Sequence, residues 1–157
     1  MQSDTPHAAA LPLSPLKAFI TLVGVVLFIA CFLVICHLLG VTEFWPGFLF
    51  VMYWGMVEKV DPKRLPHAVL GGAAGMLAGY SSALLLEQFG GAGGAIFIAI
   101  ILTIVYCQLM GWLPMLVNMM TMIFLTVCTI PAILQNTSLV SSLQGFFLGV
   151  VFFGGII

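Results

Sequence analysis

The longest uninterrupted apolar stretch of the chain runs from Lys17 to Gly40. It contains no proline and, after Lys17, no lysine, arginine, aspartate or glutamate. A helix that crosses the hydrocarbon core of a bilayer needs about 20 consecutive apolar residues. The stretch therefore predicts a retained membrane-spanning helix, because the polar residues 1–16 before it lack the basic start of a signal peptide. We expect those residues to form a flexible N-terminal tail.

Composition extends this prediction to the rest of the chain. Hydrophobic residues make up 62% of the 157 positions and charged residues only 6%, whereas soluble domains carry about 25% charged residues. We therefore predict an all-α polytopic membrane protein with about six transmembrane helices in a single transmembrane domain, residues 17–157. The lipid bilayer is its expected partner. Nucleic acid is excluded, because the formal net charge is -1 and DNA or RNA binding needs a basic surface.

Polar turns divide the chain into six apolar segments. The predicted spans are residues 17–40, 45–57, 66–87, 95–110, 112–134 and 139–157. The second is short for a span, and a short tilted span is favoured over a re-entrant element because the charged loop 58–64 must reach water. The glycine-rich residues 90–94 predict a flexible turn before the fourth span.

All four basic residues lie on one side of this arrangement. Lys17 precedes the first span, and Lys59, Lys63 and Arg64 lie between the second and the third. The positive-inside rule places that side, and with it both termini, in the cytoplasm. The sequence stops at Ile157 without a polar anchor, which predicts either that the last helix ends buried in an assembly or that further residues follow.

Two pentapeptides echo each other 71 positions apart: Cys36–Gly40 reads CHLLG and Cys107–Gly111 reads CQLMG. Each ends an apolar span and precedes a Trp-Pro or Trp-Leu-Pro turn, a further span, a polar loop and a glycine-bearing span. We interpret the chain as two repeats, residues 17–89 and 90–157. Three spans per repeat would orient them oppositely, an inverted repeat of the kind that recurs in transporters. Chance similarity between apolar helices is the alternative.

Glycines recur at every fourth position in two of the predicted spans. Such spacing allows another helix to approach closely. We therefore expect these residues to pack helices and to support a homo-oligomer: Gly71, Gly75, Gly79, Gly145 and Gly149.

Polar groups inside a bilayer are costly and are functional candidates for that reason. The candidates for a solute pathway are His37, Tyr53, Gln108, Asn118, Thr121 and Thr129. His37 and Gln108 occupy the same place in the two echoed pentapeptides, so an inverted repeat would put them at opposite mouths of one path. Only the imidazole titrates near neutral pH, and the two mouths should respond differently to pH. His37 alternatively serves as a structural hydrogen-bonding residue.

The predicted fifth span is the most polar. Asn118, Thr121 and Thr129 fall on one face at helical spacing. This stripe would line a path for a neutral solute, or it would form hydrogen bonds between helices.

Catalytic and metal-binding patterns are missing from the sequence. No Walker loop, GxSxG or HExxH motif occurs, the four cysteines form no CxxC pair, and His7, His37 and His67 are scattered. Paired buried carboxylates are also missing. We therefore predict neither enzymatic activity, nor a cofactor, nor a metal site.

The layout resembles the YcdZ-like bacterial inner-membrane proteins, a family of uncharacterised function. The resemblance rests on the segment Phe44–Leu49, the short span and basic loop after it, and the glycine-spaced helix Leu70–Tyr80. It covers nearly the whole chain after residue 16. It implies a compact multi-span protein of the bacterial inner membrane, and it transfers no functional residue.

Two functions are compatible with these features. The first is a channel or transporter for a small neutral or weakly polar solute, with the predicted fifth span as its polar wall. The second is a non-catalytic structural or accessory subunit of a larger membrane complex, because glycine faces and few buried polar groups suit that role equally.

Overall fold

The computed structural model describes residues 14–156, and every regular element in that range is an α-helix. The helices are α1 (Pro15–Leu38), α2 (Trp45–Met56), α3 (Leu65–Phe89), α4 (Gly91–Leu109), α5 (Met119–Cys128), α6 (Pro131–Asn136) and α7 (Leu139–Ile156). Three of them, α1, α3 and α4, are long and apolar enough to cross a membrane. The described part of the chain is accordingly all-helical, and its long apolar helices are those of a membrane protein by length and composition.

Two helices are much shorter than a bilayer is thick. The 12 residues of α2 and the 10 residues of α5 make helices about 18 Å and 15 Å long at 1.5 Å per residue. The hydrocarbon core measures about 30 Å. Both short helices therefore depend on their neighbours for burial, and both lie in the interior of the bundle, where Phe50, Trp54 and Phe124 are almost fully buried.

Prolines and glycines account for most of the helix boundaries. Proline occupies the first turn of α1, α2, α3 and α6, where its missing N–H costs nothing. Gly40, Gly90 and Gly111 follow α1, α3 and α4 with φ of 67°, 55° and 66°. Residues with side chains rarely adopt positive φ, so these three glycines define where the long helices end.

Each short helix packs against a helix from the other half of the chain, a relationship that we call crossed pairing. In one pair α2 runs parallel to α7, with Glu43 beside Gly145 and Gly47 beside Gly149. In the other pair α5 runs parallel to α3, with Asn118 beside Gly71. The α3/α4 connection is an antiparallel hairpin in which Gly93 lies on the backbone of Leu85.

Aromatic side chains fill the interior between α2, α3, α5 and α7. Phe124 and Phe146 meet edge to face with ring centroids 5.2 Å apart, and Phe50 packs edge to face on Phe146 at 5.8 Å. Helices α1 and α4 flank this centre with most of their side chains exposed. In α1 only Phe32 and Cys36 are buried, and in α4 only Gly93.

The predicted boundaries of the fifth span, residues 112 and 134, are both wrong. Residues 112–118 form an irregular connection, because Leu113 has a φ of 52° and Asn118 caps the helix that begins at Met119. That helix ends at Cys128, and a separate short helix starts at Pro131. Proline cannot donate the backbone bond that a continuous helix would need there.

The predicted flexible turn over residues 90–94 is also wrong. Only Gly90 breaks the helical path, and α4 begins at Gly91. Gly93 must stay small because a Cβ there would overlap the Leu85 carbonyl oxygen. The glycine run therefore tightens the α3/α4 hairpin.

Candidate functional site

The two echoed pentapeptides adopt the same backbone structure. The amide of Gly40 donates to the His37 carbonyl at 3.1 Å, and that of Val41 donates to the Cys36 carbonyl at 2.9 Å. After α4, Gly111 donates to the Gln108 carbonyl at 3.1 Å, and Trp112 to the Cys107 carbonyl at 2.8 Å. This pair of bonds around a left-handed glycine defines a Schellman helix ending.

The shared helix ending accounts for part of the sequence similarity between the two pentapeptides. A Schellman motif requires the glycine and favours apolar residues around it, but it does not require a cysteine three places before the C-cap. The positions of His37 and Gln108 are therefore equivalent in backbone geometry, each two residues before the C-cap of a long helix.

His37 lies beside a surface cleft. The imidazole is exposed, and the cleft of about 490 Å³ is lined by Leu33, Cys36, His37, Gly40, Val41, Thr42 and Phe44. The buried thiol of Cys36, with 2% of the residue exposed, lies at its wall. Thr42 is exposed and adds a hydroxyl to the rim.

Gln108 lies at the opposite end of the bundle. Gln108 lies near the C-terminal end of α4, at the end of the bundle where α5 begins beside the first turns of α3. His37 lies at the end where α2 begins. The Oε1 atom of Gln108 is buried and has no hydrogen-bond partner among the described residues, and the same holds for Nδ1 of His67. A buried polar atom without a partner costs about 1–3 kcal/mol.

Asn118 is the most highly connected polar residue of the predicted pathway set. Its Oδ1 accepts from the amides of Met120 at 2.9 Å and Thr121 at 3.3 Å, and its Nδ2 donates to the His67 carbonyl at 2.8 Å. The Thr121 hydroxyl accepts from the Asn118 amide at 3.1 Å, completing a capping box. Asn118 therefore joins the start of α5 to α3.

The two threonines of the predicted polar wall bond to backbone carbonyls close to them in the chain. Thr121 is buried, with 1% exposed, and its hydroxyl donates to the Leu116 carbonyl at 2.6 Å. Thr129 is the C-cap of α5 and donates to the Thr126 carbonyl at 2.8 Å. Only Asn118 and Thr121 are brought together, and both serve the helix start.

Tyr53 belongs to a separate polar cluster at the end of α2. Its hydroxyl donates to Glu58 Oε1 at 2.8 Å, and Glu58 lies 3.9 Å from the Arg64 guanidinium. The indole N–H of Trp54 donates to the Asp61 carbonyl at 3.2 Å. These bonds secure the loop that carries Lys59 and Val60, both at positive φ.

Sequence reasoning missed a buried hydroxyl cluster between α3 and α7. The Tyr80 hydroxyl is hydrogen-bonded to Thr137 and, at 2.7 Å, to Ser142. Ser142 has no exposed surface. The partners lie 57 and 62 positions away, so no local pattern could have paired them.

The predicted packing glycines form two seams within the chain. A Cβ on Gly71 would overlap the Asn118 amide, and one on Gly75 would overlap the Thr121 carbonyl oxygen. A Cβ on Gly145 would overlap the Glu43 carbonyl oxygen, and one on Gly149 the backbone of Gly47. Because helices of the same chain occupy both faces, these glycines are not available to a second copy of the chain.

Within residues 14–156, histidine, cysteine, aspartate and glutamate form no group of three that could hold a metal ion. Comparison with known proteins adds no identification. No protein-family model matches the chain, and no curated protein or solved structure matches it significantly. The resemblance to YcdZ-like proteins stays a prediction.

Proposed function

We propose that the protein is a small transporter or channel of the bacterial inner membrane, built from two inverted three-helix units, for a small neutral or weakly polar solute. The units are α1–α3 and α4–α7, with α6 an insertion in the second. The observation that carries the proposal is the crossed pairing of the short helices. The short helix of each unit packs along a glycine seam on the last helix of the other unit.

This pairing is what an inverted repeat produces. Exchanging α1 with α4, α2 with α5 and α3 with α7 converts the α2/α7 seam into the α5/α3 seam. It also converts the Schellman ending at Gly40 into that at Gly111. Short helices held between inverted units are typical of transporters, whose solute sites lie between the halves.

The orientation follows from the same arrangement. Lys17, Lys59, Lys63 and Arg64 lie at the end of the bundle where α3 begins, and the positive-inside rule assigns that end to the cytoplasm. Both ends of the described chain would lie there. The exposed apolar surfaces of α1 and α4 are available to lipid and to a second copy in a homo-oligomer.

Flux into proteoliposomes tests the proposal. Vesicles that shrink in a gradient of glycerol or urea should recover their volume faster with the protein than without it, as followed by light scattering. His37→Leu should slow this recovery by removing the polar group of the cleft. Thr126→Val, an isosteric change at an exposed residue that bonds only to its own helix, should leave it unchanged. No flux of any of these solutes through folded protein would overturn the proposal.

One observation favours the second candidate, an accessory subunit. The centre between α2, α3, α5 and α7 is filled by phenylalanine rings, and Phe50, Phe124 and Phe146 have no exposed surface. A packed apolar centre suits a protein that only joins helices. Stable stoichiometric assembly with one membrane protein, together with absent flux, would support this role.

A further inference from the structure

We infer that the protein thins the bilayer beside its two short helices, where the phosphate groups of phospholipids move inward to contact the exposed Lys59 and Lys63. The partner in this interaction is the headgroup layer of the membrane. The inference depends on the membrane location of the helices and not on solute transport, so it goes beyond the proposed function.

The central part of the bundle is thinner than the hydrocarbon core of a bilayer. Helices α3 and α7 run antiparallel: Gly154 lies against the Leu65 side chain at one end, and Ser142 is hydrogen-bonded to Tyr80 at 2.7 Å at the other. The helical rise from Leu65 to Tyr80 is about 23 Å, whereas the hydrocarbon core measures about 30 Å. A bilayer accommodates a span that is too short by becoming thinner.

The thin part faces lipid through α2 and α5, which are about 18 Å and 15 Å long. A shallow groove of about 210 Å³ between them is lined by Met52 and Met56 of α2 and by Ile123 of α5. The two methionines are 56% and 76% exposed, and exposed apolar surface of this kind favours contact with hydrocarbon. The apolar surface on this face is therefore only as tall as the short helices.

Helix α1 requires a thicker bilayer on its own side of the bundle. The Phe28 ring lies 4.9 Å from that of Phe152, near the level at which α3 begins with Leu65. Residues 15–27 continue beyond this level for about 20 Å. All of them are exposed, and none after Lys17 is charged, so this half of α1 suits hydrocarbon and not water.

The charged loop between α2 and α3 lies closer to the membrane centre than the start of α1. Residues 58–64, which carry three cations and two carboxylates, end immediately before Leu65. Lys17 lies about 16 Å further out along the bundle, although both segments need water. Arg64 pairs with Glu58 at 3.9 Å, and it is the only cation of the loop that is ion-paired within residues 14–156. The two loop lysines are therefore available to lipid phosphate.

The opposite end of the bundle repeats this relationship in inverted form. Tyr80 is hydrogen-bonded to Thr137, so the polar segment 135–138 lies near the level of Tyr80. Helix α3 continues from there to Phe89, about 13 Å further, with Leu84 57% exposed. Polar segments thus limit the thin part of the bundle at both ends, while apolar helices extend beyond them.

The order of depths at the end where α3 begins tests the inference. A bimane fluorophore is attached in turn to Lys17→Cys, Leu22→Cys and Pro62→Cys, all exposed sites, in a background that keeps only the buried Cys36 and Cys128. The labelled proteins are reconstituted in vesicles of phosphatidylcholine and phosphatidylglycerol. A quenching nitroxide is carried either by the lipid headgroup or by the middle of an acyl chain. Iodide serves as the aqueous quencher, and thermal unfolding checks that each variant folds.

Thinning predicts that the headgroup nitroxide quenches positions 17 and 62 more strongly than the acyl-chain nitroxide, by about two-fold or more, and that position 22 shows the reverse. Position 22 lies between the other two along the bundle, so a flat membrane surface cannot give this order. The inference is overturned if position 22 is quenched mainly by the headgroup nitroxide or by iodide. It is also overturned if position 62 is quenched mainly by the acyl-chain nitroxide, or by iodide alone.

The contact with the two lysines is tested in the Pro62→Cys protein, which keeps all cations of the loop. Lys59→Gln combined with Lys63→Gln should lower headgroup quenching at position 62 about two-fold, because basic residues attract anionic headgroups. Lys17→Gln is the matched control and should leave quenching at position 62 unchanged. Equal quenching with and without the two lysines would overturn their contact with phosphate. Neither measurement uses solute flux, so the proposed function can fail while this inference holds.

Discussion

Gly75 in α3 lies against the backbone of Thr121 in α5, where a Cβ at position 75 would overlap the Thr121 carbonyl oxygen and approach its Cα to 3.0 Å. This contact lies midway along the α3/α5 seam. Since backbone atoms cannot move aside as a side chain can, the seam allows no larger residue without separating the two helices.

Gly75→Ala should therefore destabilise the protein by about 1–3 kcal/mol, the usual range for overpacking a close contact. The control is Gly24→Ala in α1, where an added Cβ meets nothing within 4 Å. Alanine is the better helix former by about 0.5–1 kcal/mol, so this variant should be as stable as the wild type or more so. Unfolding in detergent measures both, and a Gly75→Ala protein as stable as Gly24→Ala would show that the seam is looser than described.

Asn118 variants should separate its two structural roles. Serine can still cap α5 but cannot donate to the His67 carbonyl, whereas leucine loses both functions. We expect the stability to fall in the order wild type, Asn118→Ser, Asn118→Leu, with about 0.5–2 kcal/mol attributable to the cap. Thermal unfolding gives the order. Equal stabilities of Asn118→Ser and Asn118→Leu would refute the capping role. Because Asn118→Leu disturbs folding, a loss of flux in this variant alone would not identify a pathway residue.

Tyr80→Phe should cost about 1–3 kcal/mol because it leaves the buried Ser142 hydroxyl without its partner. Ser142→Ala should cost less when Tyr80 is already phenylalanine, since the shared hydrogen bond can be lost only once. A double-mutant cycle on unfolding free energies measures this coupling. Strictly additive effects would indicate that the 2.7 Å contact contributes no stability.

The loop between α2 and α3 stores strain that a single substitution can release. Lys59 is exposed and has a φ of 50°, which costs a residue with a side chain about 1–2 kcal/mol relative to glycine. Lys59→Gly should therefore raise the unfolding temperature. Lys63→Gly removes the same charge from a position that is not at positive φ and should lower it. The opposite ranking would argue that Lys59 makes an unrecognised stabilising contact.

Helices with a continuous apolar pattern were predictable, and the interrupted ones were not. The prediction of 17–40 agrees closely with α1 because nothing polar competes with helix formation there. The prediction of 112–134 failed because apolar residues on both sides of Asn118 conceal a helix start. Its capping role becomes evident only when the amides of Met120 and Thr121 are seen to point at its side chain.

The candidate site was predictable as a list of residues but not as an arrangement. The echo identified His37 and Gln108 as equivalent, and the structure gives both the same helix ending. The sequence could not reveal that His37 is exposed whereas the Oε1 atom of Gln108 is buried, because burial depends on how the helices pack. The glycine seams were recognisable by spacing, whereas their partner helices are set by long-range topology.

The most direct test of the account is the sidedness of the two helix endings. Leu38 and Leu109 occupy matching places, and both are highly exposed, at 76% and 80%. Each is changed to cysteine with Cys31 and Cys107 replaced by alanine, and a membrane-impermeant maleimide is applied to right-side-out and to inverted vesicles. Inverted units predict that Leu38→Cys is labelled only in right-side-out vesicles and Leu109→Cys only in inverted ones. Labelling of both from the same side would contradict the account.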